Sequence, residues 1–129
     1  MKKIAVYGSL RQGMYNHFLL GDSKLLETKE IEIPYKMVSL VYYPALVQDN
    51  KSNKIIVEIY EVDDNVYEDV EILEGYPNFY NRITVDGADL YVLNTNDDYY
   101  DTSHYEYEEH IKDWVEYFNQ QRENNDYQQ

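Results

Sequence analysis

An apolar strand runs directly into a glycine-bounded turn in Lys3-Ile4-Ala5-Val6-Tyr7-Gly8-Ser9-Leu10-Arg11-Gln12-Gly13. The apolar first half predicts a β-strand, and the turn leads into a short helical segment over residues 14–20. Several backbone amides of such a turn lack strand partners, so they can converge on a carboxylate. The stretch therefore predicts a strand, a turn and a helix, in which the turn is either an anion-binding cradle or an ordinary strand-to-helix turn.

Further strand signals follow this opening unit. The run Lys54–Val62 is rich in β-branched residues and predicts a central strand. Residues 24–46 are typical of extended structure that Pro34 bends or holds at a sheet edge, and residues 49–53 have the composition of a turn. The dipeptide Asp86-Gly87 lies between two apolar runs and predicts a tight hairpin of antiparallel strands.

Two longer segments have helical periodicity. The first begins at Asp63-Asp64-Asn65, which offers an N-cap, and is terminated by Gly75 and Pro77. The second is amphipathic from about residue 105 to residue 121, and residues 122–129 are expected to form a frayed, flexible tail. The pattern predicts one α+β domain over residues 1–121, a small mixed β-barrel of about six strands flanked by two or three helices.

Composition restricts the possible functions. The 129 residues carry 25 acidic and 11 basic side chains, a net charge of −14, and such a field repels nucleic acid. Cys is absent, which excludes disulfides and thiolate chemistry. The apolar start of the chain is too short for a signal peptide or a membrane span, so we expect a soluble, cytoplasmic protein without a membrane partner.

Glu74 is the strongest candidate for a catalytic residue. It follows the apolar helix stripe that includes Val70 and Leu73, so it lies at the edge of the buried face, near several aromatic residues. Partial burial would raise the pKa of its carboxyl toward that of a useful general base. The alternative is an ordinary solvated glutamate like Glu68 on the same acidic helix.

Several other site types do not fit the sequence. Met14-Tyr15 stands where a phosphate-binding P-loop needs Lys followed by Ser or Thr, and no dinucleotide-binding fingerprint is present. Ser9 lacks a nucleophile elbow, and His17 has no evident orienting acid. His104 and His110 have no common metal-ligand spacing. We therefore predict no cofactor and no metal.

Taken in order, four segments resemble the γ-glutamylcyclotransferase-like (AIG2-like) superfamily, and the long first segment is most similar to its γ-glutamylaminecyclotransferase branch. They are Tyr7–His17, Tyr43-Pro44-Ala45-Leu46, Leu73-Glu74-Gly75 with Tyr80 and Arg82, and Ile111-Lys112-Asp113-Trp114. The resemblance covers most of the chain. One departure is Val57, which stands before Glu58 where the family usually has glycine and is expected to narrow the cavity.

The resemblance implies a small β-barrel flanked by helices and a reaction that needs no cofactor. A γ-glutamyl amide would undergo intramolecular aminolysis, releasing 5-oxoproline and a free amine or amino acid, with Glu74 as general base and then general acid. Substrate contacts would come from Tyr7, Gly8, Ser9, Leu10, Tyr80 and Arg82. For Arg82 an ion pair within the fold is an alternative role.

Two other functions remain open at this stage. The chain could be a non-catalytic module that keeps the cavity to bind a small anionic metabolite. It could also be an acidic interaction protein, since the Tyr-rich acidic stretch over residues 97–109 could imitate nucleic acid toward a basic partner.

Overall fold

The computed structural model describes residues 1–94 and 108–127. Across these residues five strands form one mixed sheet in the order β2-β3-β1-β5-β4. The elements in chain order are β1 (Lys2–Val6), a 3-10 helix (His17–Leu20), β2 (Lys24–Ser39), β3 (Pro44–Val62), α1 (Asp64–Leu73), β4 (Tyr80–Val85), β5 (Ala88–Leu93) and α2 (Trp114–Tyr127).

Strand β1 lies at the centre of the sheet and decides its topology. It pairs antiparallel with β3, placing Val6 opposite Glu58, and parallel with β5, placing Ala5 opposite Leu90. The small α+β fold with a mixed sheet is thereby confirmed. The sheet is not closed in the described part of the chain, because β2 and β4 remain as its two edges. In the described residues it has five strands rather than about six, because β2 and β3 are each continuous.

The prediction of a turn over residues 49–53 is wrong, because these residues lie inside β3 and the chain reverses over residues 40–43 instead. The register of β2 against β3 shifts at Pro34, and β3 accommodates the shift as a bulge. The side chain of Asn53 donates to the carbonyl of Tyr35 at 3.0 Å. Residues 49–53 therefore form a bulge within β3 rather than a chain reversal.

The local signals for α1 and for the second hairpin are confirmed. The side chain of Asp63 caps α1 by accepting from the amide of Val66 at 2.8 Å, and Glu74 is the C-cap residue. Gly75 follows with φ +64°, a left-handed conformation that favours glycine. Asp86 and Gly87 have φ values of 52° and 81°, so both central residues of the hairpin turn are left-handed.

Helix α2 begins later and ends later than predicted. Asp113 accepts from the amides of Val115 and Glu116 at 3.1 and 3.3 Å, which starts the helix at Trp114 rather than near residue 105. The helix continues to Tyr127, through most of the segment expected to be a tail. The predicted start of the helix itself falls outside the described residues.

The core occupies both faces of the sheet, because side chains alternate along β1. Ile4 and Val6 belong to the buried cluster beside α1, whereas Ala5 belongs to the cluster beside Trp114 of α2. Neither helix in the described part of the chain is long and apolar enough to cross a membrane.

Candidate active site

A cavity of about 290 Å³ opens where the end of β1 meets the end of α1. Six of the seven predicted site residues line it, and Arg82 does not. The lining residues are Ala5, Val6, Tyr7, Gly8, Ser9, Leu10, Tyr15, Asn16, Tyr43, Pro44, Leu73, Glu74, Gly75, Phe79, Tyr80 and Tyr91. The fold thus brings the turn after β1 and the C-cap of α1, which are distant in sequence, to one cavity.

The turn after β1 is held by its carbonyl groups. The amide of Arg11 donates to the Gly8 carbonyl and the amide of Asn16 to the Ser9 carbonyl, both at 3.0 Å, while His17 Nδ1 donates to the Leu10 carbonyl at 2.8 Å. Within the described chain, the amides of Ser9 and Leu10 have no hydrogen-bond acceptor. Two amide donors at a cavity wall can bind a carboxylate or a developing oxyanion.

Gly8 is required by close packing. A Cβ atom at this position would lie 2.7 Å from the ring carbons of Pro44, which is the first residue of β3. Any larger residue would therefore push the turn away from the β2–β3 hairpin. The glycine brings the backbone of the turn close to the cavity wall.

The same turn is also held by an ion-pair network that was not predicted from the sequence. Arg11 is only 7% exposed; its Nε donates to Glu58 Oε2 at 2.8 Å and its Nη1 to Asp113 Oδ1 at 2.7 Å. Glu58 also accepts from the Gln12 amide at 2.9 Å and from the Tyr60 hydroxyl at 2.8 Å. The sequence signal for this network is Glu58, an acidic residue in the middle of the most apolar strand. A buried carboxylate in such a position needs a buried partner.

The segment that precedes α2 is held against the sheet by backbone hydrogen bonds. The amide of Ile56 donates to the Lys112 carbonyl at 2.9 Å, and the amide of Ile111 donates to the Met37 carbonyl at 3.0 Å. These bonds fix the segment against β2 and β3 just before Asp113. Asp113 therefore both caps α2 and forms a second ion pair with Arg11.

Glu74 lies in a different environment from Glu58. Its side chain is mostly buried against the cavity, and no side chain or amide of the described residues donates to its carboxylate. Burial, with a smaller contribution from the negative charge of Glu71, raises the pKa of Glu74 to about 7. A carboxyl with this pKa accepts and returns a proton near neutral pH.

Arg82 forms a structural ion pair rather than part of the cavity wall. Its Nη1 bonds to Glu71 Oε1 and donates to the Tyr67 hydroxyl at 2.7 Å, and its guanidinium stacks 4.3 Å from the ring centre of Tyr76. The pair ties β4 to α1, and neither Arg82 nor Glu71 lines the cavity. A direct contact of Arg82 with substrate does not fit this position.

Tyr7 and Tyr80 wall the cavity with hydroxyl groups that are already engaged. Tyr7 donates to the Tyr91 carbonyl at 2.6 Å, and Tyr80 donates to the Pro44 carbonyl at 2.7 Å. Burial, followed by the nearby Tyr80 and Glu74, raises the pKa of Tyr7 well above its usual value, so its hydroxyl stays neutral. These rings shape the cavity and keep it apolar around Glu74.

The remaining predicted features lie elsewhere. Val57 is fully buried in the core cluster beside Trp114 and does not line the cavity, so the expectation that it narrows the cavity is wrong. Within residues 1–94 and 108–127, no three His, Asp or Glu side chains are grouped as metal ligands would be. His104 and most of the acidic stretch over residues 97–109 lie outside the described residues.

The chain is similar to known proteins over most of its length. A family model described as "Gamma-glutamyl cyclotransferase, AIG2-like" matches residues 4–127. A protein of Methanocaldococcus jannaschii named "Putative gamma-glutamylcyclotransferase" is 37% identical over 84 residues, 64% of this chain and 68% of that protein. A Vibrio cholerae protein of the same name is 37% identical over 83 residues, 64% of this chain and 70% of that protein.

Solved structures share the fold of this chain. An uncharacterized protein of Pyrococcus horikoshii superposes with a TM-score of 0.70 and 29% identity, over 95% of this chain and 98% of that one. An AIG2-like mouse protein has a TM-score of 0.69 over 88% of each chain, and at 20% identity this likeness shows the fold alone. Together with the matching family model, these similarities show that the chain belongs to the gamma-glutamyl cyclotransferase, AIG2-like family.

Proposed function

We propose that the protein is a γ-glutamyl cyclotransferase that releases 5-oxoproline and a free amine from a γ-glutamyl amide. One observation carries the proposal: the unpaired carboxyl of Glu74 lines the same cavity as the acceptor-free amides of Ser9 and Leu10. The amides offer a site for the α-carboxylate of a glutamyl group, and Glu74 is a base for its α-ammonium.

The reaction then needs a single acid–base residue. Glu74 takes a proton from the α-ammonium, the freed nitrogen attacks the γ-carbonyl carbon, and a carbon–nitrogen bond closes the five-membered ring. The tetrahedral intermediate collapses with cleavage of the original amide bond, and Glu74 returns a proton to the departing nitrogen. The α-nitrogen loses two protons overall and the departing amine gains two, so the step is balanced.

Rate enhancement in this scheme comes from positioning and from fixed dipoles. Holding the α-carboxylate on the turn after β1 orients the α-nitrogen toward the γ-carbonyl of the same molecule, which supplies a high effective concentration. The turn is rigid because Arg11 and Gly8 fix it from two sides. Its amide dipoles therefore need little reorganisation during the reaction.

The direct test is release of 5-oxoproline from a panel of γ-glutamyl amides and γ-glutamyl amino acids, measured by chromatography. The native protein should turn over at least one of them, and Glu74→Gln should lower kcat by about 10²- to 10⁴-fold, the usual contribution of a general acid–base group. Glu68→Gln, on the exposed side of α1, is the matched control and should retain activity. Binding of the panel without turnover by the native protein would contradict the proposal and favour a binding module.

A further inference from the structure

His17 bonds to the turn after β1 but does not line the cavity. Its Nδ1 lies 2.8 Å from the carbonyl oxygen of Leu10. Because a carbonyl oxygen can only accept, Nδ1 carries the proton and donates. The imidazole also packs against Tyr60, with the ring centres 5.9 Å apart. Since the Tyr60 hydroxyl donates to Glu58, the imidazole rests on a side chain that the ion-pair network holds in place.

A continuous path of hydrogen bonds leads from this ring to one of the two acceptor-free amides. The His17 ring donates to the Leu10 carbonyl, and the peptide group of that carbonyl carries the amide of Arg11. The Arg11 amide donates at 3.0 Å to the Gly8 carbonyl, and the peptide group of this second carbonyl carries the amide of Ser9. Ser9 lines the cavity, so the path ends at a donor in the cavity wall.

Such a path acts on the direction and on the strength of its last donor. The peptide groups of the turn are trans, so the C=O and N–H of each group point in opposite directions, and a bond to the carbonyl fixes where the amide points. Each bond also polarises the next group, strengthening it by roughly 10–30%. Leu10 is 3% exposed, so water screens the path little. The donor at the start of the path therefore influences the Ser9 amide at its end.

We propose that His17 is a positioning residue: through two peptide groups of the turn it orients and polarises the Ser9 amide that binds the α-carboxylate of the glutamyl group. The inference rests on the proposed function and adds to it a residue that touches no substrate. The other donor, the Leu10 amide, is oriented separately, because the Ser9 carbonyl accepts from the backbone amide of Asn16. Loss of the His17 donor should therefore weaken carboxylate binding without abolishing it.

A pair of small ligands isolates the contribution of the carboxylate. 5-Oxoproline and 2-pyrrolidinone differ by that group alone, so the ratio of their Kd values, measured by NMR titration, reports how strongly the turn binds it. The native protein should bind 5-oxoproline more tightly than 2-pyrrolidinone. In His17→Leu this preference should fall by about 2- to 10-fold, the usual contribution of one hydrogen bond. An unchanged preference would overturn the inference.

Two conservative variants test whether the Nδ1 donor is the cause. The side-chain nitrogen of asparagine can take the place of imidazole Nδ1, whereas that of glutamine takes the place of Nε2. His17→Asn should therefore keep the preference for 5-oxoproline close to that of the native protein, and His17→Gln should lose it as His17→Leu does. An equal loss in His17→Asn and His17→Leu would overturn the inference, because it would assign the effect to packing of the ring against Tyr60.

Turnover separates this inference from the proposed function. With a γ-glutamyl amide that the native protein converts, His17→Leu should raise KM and keep kcat within about twofold, because an interaction made equally in the ground and transition states affects KM alone. A partly misfolded variant would instead lose kcat at constant KM, and that result would overturn the inference. Absence of 5-oxoproline release by the native protein would overturn the proposed function itself.

Discussion

Two glutamates near the turn after β1, Glu58 and Glu74, lie in contrasting environments. Glu58, 4% exposed, is surrounded by donors from Arg11, Gln12 and Tyr60. Glu74 lines the cavity, and no donor from the described residues reaches its carboxylate. The first carboxylate is compensated and holds the fold, whereas the second is left uncompensated and can exchange protons.

The comparison shows that burial alone does not mark a catalytic carboxylate. A buried carboxylate whose hydrogen-bonding capacity is satisfied by a cation and amides is compensated and contributes structure. A carboxylate that is removed from water without such partners has a pKa shifted toward neutrality. The presence or absence of a partner therefore separates Glu58 from Glu74.

The largest effect on folding should follow from removing the cation of the compensated site. Arg11→Met leaves Glu58 and Asp113 without their partner, and we expect the free energy of unfolding to fall by about 3–5 kcal/mol, measured by urea denaturation. Lys112→Met is the control, because its ion pair with Glu30 is exposed and should contribute far less.

A second substitution tests whether the loss of stability in Arg11→Met comes from unpaired buried charge. Adding Glu58→Gln to Arg11→Met removes the uncompensated buried charge, so the double variant should regain part of the lost stability. If Arg11→Met were no less stable than Lys112→Met, the network would not hold the turn. If Glu58→Gln lowered the stability of Arg11→Met further, the loss would not arise from unpaired charge.

At Glu74, removing the charge of the side chain is expected to increase the stability of the fold. The pKa of Glu74 is about 7 in the folded protein and 4.5 ordinarily, so the unfolded chain ionises first as pH rises. Folding stability is therefore lost between about pH 4.5 and pH 7. Relative to the native protein, Glu74→Gln should be more stable at alkaline pH by about 1–3 kcal/mol, and this gain should vanish at acid pH.

Thermal denaturation of Glu74→Gln and the native protein across this pH range provides the measurement. Glu68→Gln, on the exposed surface of α1, is the matched control for replacing a glutamate by glutamine on this helix. A stability difference between Glu74→Gln and the native protein that did not change with pH would mean that Glu74 is not held in an uncompensated site.

The smallest expected effect is that of Glu71 on the pKa of Glu74. Because the negative charge of Glu71 contributes to the raised pKa of Glu74, Glu71→Gln should move the acid limb of kcat/KM to lower pH. Burial is the larger cause and persists in the variant, so the pKa of Glu74 should remain above its ordinary value. Glu68→Gln is again the control. An acid limb that moves to higher pH would contradict the assigned direction.

Local features were predictable because their causes are local. Asp63 caps α1 through an amide three residues on, and Asp86-Gly87 forms a turn from its own backbone preferences. The placement of Glu74 at the helix end followed from the apolar stripe and Gly75. The prediction of a turn over residues 49–53 was wrong because polar residues occur in β-bulges as readily as in turns. Which of the two forms depends on the pairing with the opposite strand.

The sequence by itself determined the opening turn, the helix with Glu74 at its end and the family to which they point, since each depends on neighbours within a few residues. Only the tertiary structure decided which carboxylate is compensated. The register of β1 against β3 brings Glu58 to Arg11, and the docking of residues 111–112 brings Asp113 to the same guanidinium. Charge compensation depends on distances between remote segments, and these are defined only when the sheet is assembled.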